Sequence, residues 1–275
     1  MGAVRKSSTS YVAADGSELP MLIFEPDEGM QPAAGIVMFH GGALHSGSAD
    51  DLAPHCGRLA SRGIFAVSAG YRVIGQGATS IDDCIADVRR AVERSAGLAA
   101  VRGLDSSRLA SGGSSAGGHL ALVAAMIARD QPVPASEPGV AAIVALNPVV
   151  DLLAYSPEER QNLADEVTRI PVGRLIEYSP AEFVRPGNPP TLIQHGTRDE
   201  IGPIDTVRRF RDLMVQVGND CVLLEYEGAG HSFHYSAEYL HVVVDATAEF
   251  LLDRLATRSS VVLTRTTKRP GTKMR

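Results

Sequence analysis

Tryptophan is absent from this chain, cysteine occurs three times in 275 residues, and aromatic side chains make up 5% of it. Nor is there any run of about 18 apolar residues, so no segment reads as a membrane-spanning helix. The N-terminal stretch MGAVRKSSTSYVAADGS lacks the apolar core that a signal peptide needs. Cys56, Cys84 and Cys221 are odd in number and widely spaced, which fits neither a disulfide framework nor a zinc site. A soluble, cytoplasmic chain in a reducing setting is the expectation.

A concentrated basic surface is also lacking. The net charge is −6, from 26 basic and 32 acidic residues, which weighs against nucleic acid as the main partner. The charge is unevenly spread. Residues 258–275 carry six basic side chains and no acidic one, leaving the rest of the chain at −12. A basic end of this kind can bind membrane or nucleic acid, but a solvated, disordered tail is the expectation.

What the chain does have is an ordinary globular balance, 44% hydrophobic and 21% charged, and a regular alternation of elements. A hairpin is predicted over 11–25, turning at Asp15-Gly16. Apolar runs predict strands at 34–39, 64–68, 108–112, 140–146, 191–194 and 221–226. Helical patterns fall between them, at 52–61, 82–98, 116–128, 205–217 and 237–255. Alternation over the whole length predicts one mostly parallel sheet with helices on both faces, in a single domain over 1–257. Residues 151–189 interrupt the rhythm with five prolines and short helical pieces, and are expected to form a lid or binding insertion.

The chemistry-bearing residues sit just beyond strands. Gly113-Ser114-Ser115-Ala116-Gly117 fits G-x-S-x-G between a predicted strand and helix. A sharp strand-to-helix turn holds a serine hydroxyl proud of the backbone, and the flanking glycines let helix and strand pass closely. Ser115 is the candidate nucleophile and Ser114 its rival. His40-Gly41-Gly42-Ala43 follows the first parallel strand, where amides of a glycine-rich loop can converge on developing negative charge. The candidate oxyanion donors are Gly41 or Gly42 together with Ala116; His40 is expected to shape the loop.

Asp199 lies after the strand at 191–194 and can orient an imidazole, with Glu200 and Asp205 as competitors. His231, in Gly228-Ala229-Gly230-His231, follows the strand at 221–226 and is the candidate base, with His234 as its competitor. The order serine, aspartate, histidine, each beyond a strand, is the order an α/β-hydrolase requires.

At these motifs the chain resembles the bacterial acetyl esterase/lipase group, among the hormone-sensitive-lipase-like and feruloyl-esterase-like α/β-hydrolases. The blocks that carry the resemblance are HGGALHSG, GSSAGGHLA, PPTLIQHGTRDEIGP and YEGAGHSF, and further matching stretches extend it over about 11–255. It implies a Ser115–Asp199–His231 triad with Gly41, Gly42 and Ala116 as oxyanion amides. Two positions depart from the pattern. Ala43 stands where a third loop glycine is usual, and Ser114 where the hormone-sensitive-lipase branch has Asp.

The reaction so implied is hydrolysis of a small carboxylic ester, short-chain acyl or acetyl, through an acyl-serine, without cofactor or metal. The same triad would serve an amidase, a formamidase or a secondary-metabolite-modifying hydrolase. A non-catalytic ligand-binding homologue is the reading from a different class. The group also includes enzymes acting on polysaccharides, but the missing tryptophan weighs against stacked sugar rings. Asp82, Asp83 and Asp87 are expected on the solvated face of a helix rather than at a metal, and His45, His55, His119 and His241 show no ligand-like pairing. No nucleic-acid or membrane partner is expected, and a homodimer is left open.

Overall fold

The computed structural model describes residues 4–27, 29–127 and 139–256, so the basic stretch at 258–275 lies outside the described residues. In chain order the elements are β1 (Val4–Val12), β2 (Glu18–Pro26), β3 (Ala34–Phe39), α1 (Ala53–Ala60), β4 (Ile64–Ala69), a short pair β5 (Val73–Ile74) and β6 (Gly77–Ala78), α2 (Ile81–Val101), β7 (Leu109–Ser114), α3 (Ala116–Ile127), β8 (Ile143–Leu146), α4 (Pro157–Asn162), β9 (Thr191–Gly196), α5 (Ile204–Gln216), β10 (Cys221–Tyr226) and α6 (Ala237–Leu255). Eight strands form one sheet in the order β1-β2-β4-β3-β7-β8-β9-β10. The hairpin β1–β2 and the β2–β4 pairing are antiparallel; every later neighbour is parallel.

Period-two alternation decides what each strand packs against. On β3, Ile36 and Met38 join Cys56 and Leu59 of α1 and Val243, Val244 and Leu251 of α6 on one face. Val37 and Phe39 point the other way, toward Ile85 and Val88 of α2 and Leu120 and Val123 of α3. The same switch occurs on β8, where Val144 and Leu146 face α6 while Ile143 and Ala145 face α3 and Phe210 of α5. Helices therefore cover both faces, as the alternation predicts. Phe39 is fully buried, and truncating such a side chain to alanine costs about 3–5 kcal/mol.

The first strand is longer than its apolar pattern suggests. Residues 4–10 are mostly polar and exposed, an edge strand whose backbone pairs with β2 while its side chains meet water. The turn falls where expected, with Gly16 at φ +87° and Asp15 accepting from the Ser17 amide at 3.0 Å.

One expectation is overturned. Asp87 is not on a solvated face. It is fully buried, accepts from Arg72 Nε at 2.8 Å and Nη2 at 2.9 Å, and also from the Arg72 amide at 3.0 Å. Helical spacing puts it beside Cys84, Val88 and Ala91, all buried, so the residue faces inward and Arg72 neutralises it. Asp82 and Asp83 are exposed or partly so, as expected.

Residues 151–189 hold α4, opened by a Ser156–Glu159 capping box, then a π-helical turn at Leu163–Thr168 and two 3-10 turns. Leu152, Ala164, Ile170 and Leu175 bury the segment against the main core. Two polar ties pin it over the carboxyl ends of the strands. His45 Nε2 donates to Val167 O at 3.1 Å, and Tyr155 Oη donates to Ile201 O at 2.7 Å.

Candidate active site

Strand β7 ends at Ser114, and Ser115 turns the chain sharply with φ +51°, a left-handed conformation rare for a side-chain-bearing residue. Its amide donates to Leu146 O at 2.7 Å, and its carbonyl accepts from His119 to start α3. The tight crossing needs both glycines. A Cβ at Gly117 would lie 2.1 Å from Phe39 O, and one at Gly113 would lie 2.5 Å from the same atom.

Ser115 Oγ lies 2.7 Å from His231 Nε2, and His231 Nδ1 lies 2.8 and 2.9 Å from the two oxygens of Asp199. A carboxylate only accepts, so Nδ1 carries the ring proton and Nε2 accepts from the serine hydroxyl. The structure thus brings together the three residues singled out from sequence. Of the competitors, Glu200 is exposed and Asp205 pairs with Arg208 at 2.9 Å on the surface.

Asp199 is crowded with donors. Oδ1 accepts from the amides of Ile201 and Gly202, each at 2.9 Å; Oδ2 accepts from Asn147 Nδ2 at 2.8 Å and lies 3.1 Å from His195 Nε2. Burial alone would raise its pKa, but hydrogen bonds from His195, His231, Asn147 and Gly202 outweigh that and hold the carboxyl far below the usual range. Asp199 is therefore the charged partner of His231 at neutral pH.

The two rivals, Ser114 and His234, are paired with each other. Ser114 Oγ and His234 Nε2 are 2.8 Å apart, and both residues are about 1% exposed. His234 is pushed down to about 3 by burial, with His55 and His231 adding repulsion. Both are buried, whereas Ser115 and His231 are partly exposed.

The loop after β3 reaches the nucleophile. A Cβ at Gly41 would lie 3.3 Å from Ser115 Cβ, and Gly42 has φ +102°, with Ser46 O 2.2 Å from where its Cβ would stand. The turn closes by His45 and Ser46 amides donating to Gly42 O. Ala43 also takes a positive φ, +52°. His40 shapes this loop, as expected: buried and stacked on Tyr71 at 4.1 Å, it bonds Gly41 O through Nδ1 at 2.8 Å. Burial lowers its pKa despite that bond. Ala116 opens α3 directly after the nucleophile.

Asn147 and His195 escaped the sequence reading. Both sit at or just beyond the carboxyl end of a parallel strand, β8 and β9, where groups converge on a site in α/β sheets. Asn147 takes φ +49°, which asparagine tolerates better than most residues. That positional rule was the available signal.

The BD-FAE family model matches residues 21–214. A thermophilic esterase from Thermogutta terrifontis, solved with propionate bound, is 30% identical over 90% of this chain and 94% of that one, with a TM-score of 0.78. The same esterase with butyrate bound gives 29% identity, the same coverage and a TM-score of 0.79. An ethyl acetate hydrolase from Pseudomonas putida is 34% identical over 124 residues, 43% of this chain; the chain spans 38% of that relative's length.

Proposed function

We propose that this chain, which belongs to the BD-FAE family, hydrolyses small carboxylic esters of short acyl groups through a Ser115 acyl-enzyme. Its fold is that of the α/β-hydrolases, and it is a carboxylic ester hydrolase. The observation that carries the mechanism is the continuous line of short hydrogen bonds from Ser115 Oγ through His231 to Asp199.

In this reading His231 Nε2 takes the Ser115 proton as Oγ attacks the ester carbonyl. Asp199 keeps the imidazole in the required tautomer and stabilises its charged form. The tetrahedral oxyanion meets backbone amides drawn from Gly41, Gly42 and Ala116. His231 then protonates the departing alcohol, and water, activated by the same histidine, releases the carboxylic acid and restores Ser115.

Two observations support a short acyl group. The similar Thermogutta esterase was solved with propionate and with butyrate. The insertion at 151–189 is tied to the loops after β3 and β9, through Val167 and Tyr155, which supports a confined acyl site.

The test is a series of nitrophenyl esters from acetyl through propionyl and butyryl to octanoyl, run beside a formyl-aryl amide. Highest kcat/KM is expected among the first three, and Ser115→Ala should lower kcat by about 10⁴-fold or more. A fluorophosphonate probe should label the wild type and not Ser115→Ala. Labelling that survives the substitution removes the serine mechanism, and turnover of the amide with none of the esters replaces the ester reading by an amidase.

A further inference from the structure

A second hydrogen-bonded line runs behind the triad, and its direction can be read from donors and acceptors alone. Asn147 Nδ2 must donate to Asp199 Oδ2, 2.8 Å away, because the carboxylate cannot donate. That orients Asn147 Oδ1 toward His234 Nδ1 at 3.2 Å, so Nδ1 carries the His234 proton. His234 Nε2 is then an acceptor, and the partner that fills it is the Ser114 hydroxyl at 2.8 Å. Every bond in it points the same way, from Ser114, the residue before the nucleophile, toward Asp199.

Three of the linking groups, Ser114, His234 and Asn147, are at most 1% exposed. Burying polar groups is costly even when they are satisfied, and apolar packing would hold the same elements together at less cost. What an apolar contact could not provide is a donor aimed at Asp199. The ends of the line are equally informative. Ser114 precedes the nucleophile, His234 stands three residues after the base, and Asn147 touches the acid itself.

We propose that Asn147 and His234 are positioning residues for ester hydrolysis: Asn147 supplies a fixed donor to Asp199 Oδ2, and His234 ties the loop carrying His231 to the turn carrying Ser115. This rests on the catalytic reading of Ser115, His231 and Asp199 given above. The donor tempers the Asp199 charge. Without it the carboxylate stabilises the His231 imidazolium more strongly, so the acid limb of the kcat/KM profile moves to higher pH. The other titratable groups facing Asp199 and His231 are His195, through Nε2, and Tyr155 and His234 through space. All three remain in an Asn147 variant.

The test uses the full chain, with active sites counted by a fluorophosphonate so that misfolded protein does not enter the rate. Asn147→Leu is expected to lower kcat about tenfold or more per titrated site with KM little changed, and to move the acid limb up by about half a pH unit. Ser114→Ala deletes one hydroxyl, frees His234 but leaves Asn147 in place. It should lower kcat by about three- to tenfold with the acid limb unmoved. Unchanged kcat per site and an unmoved limb in Asn147→Leu overturn the proposal. If Asn147→Leu gives no soluble protein, Ser114→Ala decides, and wild-type kcat per site in it overturns the proposal as well. Ser115→Ala run alongside separates the two readings, since turnover surviving there removes the triad itself rather than its support.

Discussion

At the residue scale, Asp199 shows how far spacing carries an assignment. Sequence leaves Asp199, Glu200 and Asp205 all within reach of an imidazole, because strand-end position selects a stretch of chain rather than one side chain. Folding separates them by burial, with Asp199 accepting from four donors and Asp205 86% exposed. Asp199→Asn should therefore lower kcat/KM by about 10⁴-fold, since an amide pointed at those donors cannot accept from all of them and spoils the His231 tautomer. Glu200→Gln and Asp205→Asn should stay within about twofold, because exposed charges contribute little. Steady-state kinetics on a short acyl ester checks the three together. Ser115 and His231 were legible because local pattern, glycine flanks and register select each of them. Asn147 was not, since its partners Asp199 and His234 lie 52 and 87 residues away and meet it only once β8 and β9 pair.

At the element scale, strands and helices with an apolar period were legible nearly to their ends, whereas the polar start of β1 was not, because an edge strand presents no buried face to write the period. Glycines in helices carry a similar lesson, since composition does not tell a required glycine from a tolerated one. In α3, a Cβ at Gly117 would press on the Phe39 and His40 carbonyls at 2.1 and 2.4 Å, both backbone atoms that cannot rotate aside. In α2, a Cβ at exposed Gly97 would meet nothing within 4 Å. Gly117→Ala should thus destabilise by about 2 kcal/mol or more through overpacking and displace the nucleophile turn. Gly97→Ala should stabilise by about 0.5–1 kcal/mol through helix propensity. Urea midpoints of the pair measure both, and similar midpoints would contradict the close packing of α3 on the sheet.

At the scale of the whole molecule, the distribution of neutral histidines sets the acid limit of the fold. His40, His55, His119 and His234 are all buried, and burial lowers each of them, His55 to about 4 and His234 to about 3. In the unfolded chain each returns to its ordinary value of 6.5. Below that pH the unfolded state binds protons that the folded state refuses, so stability is full above 6.5 and is lost as pH falls toward the folded values. Each such histidine contributes a slope of about 1.4 kcal/mol per pH unit inside its window. Asp199 adds little there, because its contribution is whole above the carboxylate value of 3.8 that it has in the unfolded chain and is lost only as pH falls below it. The unfolding free energy should therefore fall steeply from pH 6.5 downward, before most carboxylates titrate. His55 isolates one part of that slope: Nε2 donates to His234 O at 3.2 Å while Nδ1 has no partner. His55→Gln keeps a donor for His234 O and removes the titrating ring. Its unfolding free energy against pH, from urea melts, should be flatter than wild type by close to one proton between 6.5 and about 4. A slope equal to wild type would mean that His55 takes up its proton without unfolding.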